Sequence, residues 1–495
     1  MPKSKQLTRS EQQFFELLAK IIFSNPFGLE RVQVEEMLGH TGESQPTPGE
    51  HHYAAVIPVL EQHLSTLAAR GIRRRDDVRS EDRALLEYAF LFQQYHRFVA
   101  QFDELIQRQL AQGDTPASVP FAQELIQELA RCGFAENEAL RYVALFYQFR
   151  RAYFFIAHAL VGDSSSMKQL RGALWNSVFT SDVRLYAGFL WDRMEDFSTL
   201  LLGETGTGKG SAAAAVGRSG LIPFDPATKR FKHSFMATFT AINLSEFPET
   251  LIESELFGHR KGAFTGAIEN HRGVFERCSA HGALFLDEIG DVSVPTQIKL
   301  LTVLQERSFT PVGSHQPLRF EGRVIAATNR SVETLLAEGR FRQDFYYRLT
   351  SDVIQVPPLR VRLQESAAEL EQLIDLLVTR MTGQNNEVLS EQVRDGLSRS
   401  LPADYSWPGN VRELEQAIRR ILIHGRYEPP TVGRPTRSSW LAQAENGELN
   451  AGDLVSAYCR MLHDRFGTYE EVASRTGLDR RTVKKYVTVT RTKAQ

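Results

Sequence analysis

The spacing of apolar and polar residues divides the chain into regions of different texture. From residue 6 to about 160, apolar positions recur at helical intervals with few β-branched runs, which predicts a helical region. From about 162 to 425, short apolar runs alternate with helical stretches, which favours a parallel sheet flanked by helices. The runs predicted as strands are 198–202, 237–242, 283–286 and 323–327.

Turn-forming residues mark the breaks between and within these regions. Residues 39–52 are rich in Gly, Pro, Ser and Thr and predict a loop inside the helical region. Residues 426–450 contain Pro, Gly and Ser and predict a linker. The domains expected are therefore 1–160, 161–425 with a lid at about 351–425, the linker 426–450, and 451–495.

The last region carries helix-capping signals. Asn450, Thr468 and Asp479 each stand where a helix N-cap is expected, and Gly467 and Gly477 end the first two predicted helices. Two helices joined by a short glycine turn are typical of a helix-turn-helix module, whose second helix lies in the DNA major groove.

Two aromatic-rich segments of the first region resemble each other. When residues 88–102 and 142–156 are aligned at Tyr88 and Tyr142, the Tyr, Leu, Phe, Gln and Arg positions coincide. Large aromatic side chains usually serve burial, so the first interpretation is two core helices packing on each other. The alternative is a ligand pocket lined by the same rings.

Composition narrows the class of protein. The chain has 495 residues, of which 42% are hydrophobic and 24% charged, and this excludes a wholly disordered or fibrous chain. Lys and Arg (58) nearly balance Asp and Glu (60), so the chain is not uniformly basic, although a local basic patch remains open. Three widely separated cysteines favour a reducing compartment, and no apolar run is long enough to cross a membrane. We therefore expect a cytoplasmic multidomain protein.

A glycine-rich loop indicates a phosphate site. Residues 203–209 (GETGTGK) follow a predicted strand and precede an alanine-rich helix, the context in which backbone N–H groups and a helix N-terminus bind phosphate. The next residue is Gly210 rather than Ser or Thr, so the hydroxyl that usually binds Mg²⁺ is missing at this position. Ser211 has a hydroxyl but lies one position later. The nucleotide-binding residues predicted in this loop are Gly203, Glu204, Thr205, Gly206, Thr207, Gly208, Lys209, Gly210 and Ser211.

Polar residues at two other strand ends complete the predicted site. Asp287 and Glu288 follow the apolar run 283–286, where one carboxylate can direct Mg²⁺ and the other can polarise the attacking water. Asn329 follows the run 323–327, where its amide could sense the γ-phosphate. These positions predict ATP hydrolysis with Mg²⁺.

Six ordered motifs resemble those of the bacterial sigma-54-dependent transcription activators, a family of AAA+ ATPases. They are GETGTGK, GAFTGA, ALFLDEIGD, AATNR, FRQDFYYRL and WPGNVRELE. The resemblance covers about residues 161–425, and it implies an α/β P-loop domain with a helical lid. The GAFTGA segment implies contact with sigma-54 by Gly262, Ala263, Phe264, Thr265, Gly266 and Ala267.

The resemblance also implies roles for single residues. Asn243 matches the switch asparagine that restrains the catalytic Glu288, and Arg412 matches the second sensor on the lid. Arg342 and Arg348 match the arginines that reach a neighbouring subunit's ATP, which implies a ring, in this family a hexamer. The family usually has Glu at the position of Gly210, and no N-terminal receiver domain with a phosphoacceptor aspartate is visible.

The spacing of Asn410 and Glu413 is that of a capping box, which predicts Asn410 as the N-cap of the lid helix and Arg412 in its first turn. At the chain's basic end, Arg480, Arg481, Lys484 and Lys485 are predicted to contact DNA phosphates, and family members typically end in a similar Fis-type module.

The function expected is an ATP-driven activator that binds DNA upstream of promoters and remodels sigma-54 RNA polymerase holoenzyme. One alternative is a DNA-binding regulator whose nucleotide site serves assembly without sigma-54 activation. Another is a protein-unfolding AAA+ ATPase, which GAFTGA and the basic tail disfavour. The helical residues 1–160 are expected to control the ring, through repression relieved by an inducer or a partner protein.

Overall fold

A computed structural model of the chain describes residues 5–28, 53–402, 404–429, 444, 447 and 449–488. The predicted loop 39–52 and most of the predicted linker lie outside these residues. One compact unit extends to Tyr427 and a second begins at Glu428, and each is described by itself. Within the described ranges, no helix combines the length and apolarity needed to span a membrane.

Helices form the first part of the larger unit, which we call the N-terminal bundle. They are α1 (Arg9–Phe23), α2 (Tyr53–Ala69), α3 (Ser80–Arg97), α4 (Val99–Gln112), α5 (Ala122–Arg131), α6 (Glu136–Ala159) and α7 (Ser165–Phe179). The helical pattern predicted from apolar spacing is confirmed. It extends past residue 160, because α7 packs into the same core as α6.

In the described part of the chain, nine strands follow the bundle, and five of them form a parallel sheet. The strands are β1 (Thr199–Leu202), β2 (Phe224–Asp225), β3 (Arg230–Phe231), β4 (Phe239–Asn243), β5 (Ala283–Asp287), β6 (Ser308–Phe309), β7 (Leu318–Arg319), β8 (Arg323–Thr328) and β9 (Asp352–Gln355). The sheet has the order β4-β5-β8-β1-β9, while β2 with β3 and β6 with β7 form short hairpins. All four runs predicted as strands are strands, within two residues at each end.

Further helices precede, separate and follow the strands. Those outside the lid are α8 (Val183–Leu185), α9 (Lys209–Gly217), α10 (Glu249–Phe257), α11 (Val274–Arg277), α12 (Val294–Glu306), α13 (Val332–Ala337) and α14 (Gln343–Leu349). The lid helices are α15 (Leu359–Glu365), α16 (Ala368–Thr382), α17 (Glu387–Ser400) and α18 (Asn410–His424). The lid has a hydrophobic cluster of its own, which includes Leu377, Trp407 and Ile418.

The core of the N-terminal bundle is continuous with the core of the sheet domain. Buried residues from Phe15 in α1 through Phe155 in α6 to Ala213 in α9 and Ile325 in β8 form one hydrophobic cluster. The two regions therefore share buried surface, and the sheet side of that cluster would be exposed if the bundle were removed.

The smaller unit contains α19 (Ala451–Phe466), α20 (Tyr469–Thr476) and α21 (Arg480–Thr488) around the buried Cys459, Val472 and Val483. Asn450, Thr468 and Asp479 cap these helices through their side chains. The sequence-based prediction of three capped helices is confirmed.

Candidate functional site: a phosphate loop between a lid and a helical bundle

The phosphate loop leaves the carboxyl end of β1, and α9 begins at its lysine. Gly206 and Gly208 have positive φ angles of 80° and 102°, which side chains other than glycine rarely adopt. Lys209 is 6% exposed, and its Nζ donates to the carbonyl oxygens of Gly203 at 2.9 Å and Glu204 at 3.3 Å. Burial lowers the pKa of Lys209, an effect opposed by the charges of Glu288 and Asp287.

The two predicted carboxylates lie at the same edge of the sheet. Asp287 ends β5, and its Oδ1 accepts a hydrogen bond from the N–H of Glu288 at 3.0 Å. Glu288 has a φ of 55°, a left-handed conformation that is strained for a side chain of this kind and is often found at functional sites. Burial raises the pKa of Glu288, while the charge of Lys209 opposes the rise.

Asn329 joins the phosphate loop to the carboxylate of Glu288. Its Nδ2 donates to Oγ1 of Thr205 at 2.8 Å, and its backbone N–H donates to Oε2 of Glu288 at 3.3 Å. The parallel register of β1 and β8 brings this about, since Leu202 pairs with Thr328 and the two strands end side by side. Asn329 therefore forms a hydrogen-bonded link between Thr205 of the loop and Glu288.

The lid is fastened to the phosphate loop through Glu204. Arg360 of α15 makes two hydrogen bonds to the Glu204 carboxylate, at 2.6 and 2.8 Å. These bonds lower the pKa of Glu204 and raise that of Arg360. Sequence analysis missed this pair, because nothing near Arg360 in the chain marks it as a partner of the loop.

Asn410 makes a second connection between lid and loop. It is fully buried; its Oδ1 accepts from the N–H of Leu359 at 2.7 Å, and its Nδ2 donates to Glu204 and to the carbonyl of Thr205, both at 3.1 Å. The prediction that Asn410 caps its own helix is wrong: Gly409 is the N-cap, and the Asn410 side chain is directed to the loop instead.

The first turn of α18 lies against the glycines of the loop. The N–H of Val411 donates to the carbonyl of Gly206 at 3.0 Å. A Cβ at Gly206 would collide with the carbonyl oxygen of Gly409 and approach the Cβ of Arg412. The predicted placement of Arg412 in the first turn is confirmed, and its side chain is exposed beside the phosphate loop.

The remaining predicted site residues make other contacts in the single chain. Asn243 pairs with Asp287 in the β4–β5 register, and its amide bonds to Glu246 and Ser245. Arg342 forms an exposed ion pair with Asp344.

Arg348 is partly buried and donates twice to the carbonyl of Leu304, at 2.7 and 3.0 Å. Arg342 is the N-cap residue of α14, and Arg348 lies in the last turn of the same helix.

Residues 262–267 form a compact turn between α10 and α11, which is exposed at its tip but buried at Ala267. The N–H of Gly262 donates to the carbonyl of Ala267 at 2.8 Å, and that of Ala267 donates to Phe264 at 3.0 Å. The Phe264 ring is 39% exposed and lies edge-on to His259, at 4.9 Å between centroids. Thr265 is exposed at the tip. The segment presents an aromatic ring and a hydroxyl to solvent.

The basic residues of the smaller unit lie on α21. Arg480, Arg481, Lys484 and Lys485 are all exposed, while Val483 of the same helix is buried. Arg480 also pairs with Glu470 at 2.9 Å. One face of α21 therefore packs on the unit's core and the other presents positive charge.

The bundle helix α6 contacts the far end of the phosphate-loop helix. Arg151 is fully buried and donates to the main-chain carbonyls of Arg218 at 2.6 Å and Gly220 at 2.7 Å, just beyond α9. Gln148 donates to the carbonyl of Ser219 at 2.9 Å. A cation at a helix C-terminus is favourable because it offsets the partial negative charge of the last carbonyls. Helix α6 therefore holds the helix that begins at Lys209.

The junction between bundle and sheet domain is held by the lid. Arg362 and Glu369, 3% and 0% exposed, form a buried ion pair. Arg362 also donates to the carbonyl of Val161 at 2.8 Å, and the N–H of Ser164 donates to Glu369 at 3.1 Å. Removing one member of such a pair would leave a buried uncompensated charge, so breaking this contact would be strongly destabilising.

Comparison with known protein families gives a match for both the sheet domain and the lid. The family profile "Sigma-54 interaction domain" matches residues 191–355, and "AAA+ ATPase lid domain" matches residues 364–430. The described fold and its site thus define a AAA+ module of the sigma-54-interacting class.

Curated relatives agree with this class. The chain is 39% identical over 296 residues to the nitrogen fixation protein VnfA of Azotobacter vinelandii, covering 57% of this chain and 52% of VnfA. It is 38% identical over 290 residues to the DNA-binding transcriptional regulator NtrC of Azospirillum brasilense, covering 57% and 55%. It is 35% identical over 336 residues to the transcriptional regulatory protein ZraR of Klebsiella oxytoca, covering 66% and 67%.

The chain belongs to the family of sigma-54-dependent transcription activators, as the motifs in the sequence indicate. It spans about half the length of the first two relatives.

Proposed function

We propose that the chain is an ATP-hydrolysing transcription activator that binds DNA upstream of promoters and remodels sigma-54 RNA polymerase holoenzyme. The observation that carries the proposal is that Lys209 lies close enough to Asp287 and Glu288 to feel their charges, in the same domain as the exposed turn 262–267. We call these three residues the hydrolytic edge. A regulator that used nucleotide for assembly alone would need neither the water-polarising carboxylate nor the exposed turn.

Each residue at the hydrolytic edge has a task that its surroundings support. The loop N–H groups and Lys209 bind the phosphates of ATP, and Lys209 neutralises charge on the outer phosphates. Asp287 fits Mg²⁺, since a strand-end carboxylate beside the loop is the oxygen donor that this ion prefers. When bound, Mg²⁺ neutralises charge on the β- and γ-phosphates. Glu288 orients the attacking water and accepts its proton.

Asn329 and Asn243 are proposed to relate the hydrolytic edge to nucleotide state. Asn329 touches both Thr205 of the loop and Glu288. Phosphate bound in the loop would compete for Thr205 and for the Asn329 amide, which would release Glu288 from its present hydrogen bond. Asn243 lies beside Asp287 in the adjoining strand, within the region where a switch residue is expected.

Arg342 and Arg348 are proposed to act on the ATP of a neighbouring subunit in a ring, which family members form as a hexamer. An arginine aimed at the transferred phosphoryl group stabilises charge that develops in the transition state. The Arg342 side chain is 39% exposed and pairs with Asp344, and such a surface ion pair costs little to exchange. Arg412 on the lid is proposed to sense the same nucleotide from within its own subunit.

The exposed turn 262–267 is proposed to contact sigma-54, with Phe264 and Thr265 at its tip. The exposed face of α21, with Arg480, Arg481, Lys484 and Lys485, is proposed to contact DNA as part of a Fis-type helix-turn-helix module, because a short capped helix with one basic face suits the major groove. With these partners, the protein is proposed to act in the cytoplasm.

The N-terminal bundle is proposed to regulate the ATPase, by repression that a ligand or a partner protein relieves. Its helix α6 touches the far end of the phosphate-loop helix, and the junction at Val161 is fixed to the lid. A change in the packing of the bundle can therefore reach both elements that enclose the nucleotide.

Complex formation with sigma-54 tests this proposal. Purified protein is mixed with sigma-54 in ATP, in ADP, and in ADP with aluminium fluoride, a mimic of phosphate in transfer, and complexes are separated by size. We expect a complex with the mimic, and its loss in Thr265→Ala. If the protein hydrolyses ATP but binds sigma-54 in none of the three nucleotide states, the result would instead support the alternative of a regulator that does not act on sigma-54.

A further inference from the structure

We propose that a cavity inside the N-terminal bundle binds a small aromatic carboxylate. The cavity has a volume of about 510 Å³, within the range of small-molecule sites. Its walls come from both aromatic segments noted in the sequence, including Tyr88 and Tyr95 on α3 and Phe146, Phe149 and Tyr153 on α6. The rings therefore serve core packing and also line a space large enough for a fused-ring ligand.

Two buried donors on the cavity wall lack acceptors. Trp175 is 7% exposed, and within the described residues its indole N–H has no hydrogen-bond partner. The buried Nε of Arg141 likewise has none. A buried donor left unpaired is energetically unfavourable, so a ligand that brings an acceptor group to it would bind more tightly. The two donors therefore favour a ligand that has oxygen acceptors in addition to an apolar ring system.

The arginines on the cavity wall favour an anionic ligand. Of the lining arginines, Arg150 pairs with Asp103 at 2.5 Å and Arg184 with Asp182 at 2.9 Å. In the described part of the chain, no carboxylate lies within ion-pair distance of Arg141. Its guanidinium lies 5.5 Å from the Tyr142 ring and 5.9 Å from that of Trp191.

The acidic group on the same wall is already compensated. Glu87 pairs with Arg75 at 3.0 Å and accepts a hydrogen bond from the Tyr142 hydroxyl at 3.0 Å. Arg141 is therefore the charged wall group that a ligand carboxylate would satisfy, with bidentate geometry available to the guanidinium.

The cavity lies against the helix that holds the phosphate-loop helix. Arg141 and Tyr153, both on α6, line the cavity and are separated by about 18 Å along the helix. The same helix also carries Gln148 and Arg151, which bond to the backbone just beyond α9. A ligand that repacks α6 would thus act on the nucleotide site. This consequence rests on the proposed ATPase, whereas binding itself does not.

Calorimetric titration of the full-length protein tests the site, with 2-naphthoate and its neutral amide as probes. We expect 2-naphthoate to bind and Arg141→Gln to weaken it by about 10-fold or more, the effect of losing a hydrogen-bonded charge pair. The same variant should change affinity for the amide by less than about threefold. Arg131→Gln, which changes an exposed arginine of α5, is the matched control and should alter neither affinity.

A second pair of variants tests the location. Gly188 lines the cavity, and a Cβ there would meet no other atom within 4 Å, so a methyl group can be added without a clash. Gly188→Phe should prevent both probes from binding, while Gly188→Ala should keep both.

The outcomes separate the two proposals. If neither 2-naphthoate nor its amide binds, the proposed site is wrong. If 2-naphthoate binds wild type and Arg141→Gln equally well, the proposed carboxylate specificity is wrong. A protein that binds 2-naphthoate as expected but hydrolyses no ATP would contradict the proposed function and leave the site standing.

Discussion

The guanidinium of Arg151 donates a hydrogen bond of 2.6 Å to the main-chain carbonyl of Arg218, so a helix of the N-terminal bundle caps the end of the phosphate-loop helix. Burial lowers the pKa of Arg151 to about 10, and the group therefore stays charged at neutral pH. The bundle is thus a structural neighbour of the nucleotide site as well as a candidate regulator. A chain that began near residue 161 would lose this contact.

Replacing Arg151 by Met should destabilise the protein. The substitution keeps an unbranched apolar chain but removes the donors to the carbonyls of Arg218 and Gly220. Buried groups left without partners cost about 1–3 kcal/mol, which should lower the midpoint of urea unfolding. Arg131→Met, at an exposed arginine, serves as the control. Equal midpoints for wild type and Arg151→Met would show that the contact contributes nothing to stability.

Replacing Glu288 by Gln should trap the protein with ATP bound. The amide can still occupy the site next to Asn329 but accepts no proton, so hydrolysis should fall by about 10²–10⁴-fold while ATP affinity remains. Steady-state phosphate release and equilibrium binding of a fluorescent ATP analogue measure the two quantities. Glu306→Gln, at an exposed glutamate, should retain full turnover. Normal turnover in Glu288→Gln would remove that residue from the mechanism.

The pH dependence of hydrolysis should reflect the raised pKa of Glu288. Only the ionised carboxylate accepts a proton, and burial raises its pKa above the usual 4.5. As the pH falls, kcat/KM should therefore decline at a higher pH than an ordinary glutamate would cause, since this ratio reports the free enzyme. The rate of ATP hydrolysis at low ATP, measured across mildly acidic pH, checks this. A decline centred at or below 4.5 would contradict the assignment.

The basic face of α21 should bind DNA through phosphate contacts. Replacing Arg480, Arg481, Lys484 and Lys485 together by Ala should weaken binding and reduce the slope of log K against log salt by about one for each lost contact. The cap at Asp479 and the buried Val483 are unchanged, so the helix should persist in circular dichroism. An unaltered salt slope would show that these side chains are only solvated.

Local sequence signals predicted the elements but not the contacts between them. The strands before Gly203 and Asp287 and the caps at Asn450 and Thr468 are encoded within a few residues, and the structure confirms them. The bond from Asn410 to Thr205 joins residues separated by 205 positions, and no periodicity or motif reports such a distance.

The continuity of bundle and sheet domain escaped prediction for the same reason. In the sequence Arg151 cannot be told from any other arginine of a helix, because its contact with the end of α9 exists only in the folded protein. The two aromatic segments were recognisable in the sequence, but the space between them depends on how the helices pack.

The central claim is that ATP hydrolysis by this chain drives sigma-54 holoenzyme to open a promoter, through the turn that contains Thr265. Open-complex formation tests it directly, by permanganate footprinting on a sigma-54 promoter with purified holoenzyme. Wild type should open the promoter with ATP but not with a non-hydrolysable analogue. Thr265→Ala should hydrolyse ATP yet leave the promoter closed, while Thr265→Ser, which keeps the hydroxyl, should retain opening. Promoter opening by Thr265→Ala at the wild-type level, or by wild type without hydrolysis, would contradict the account.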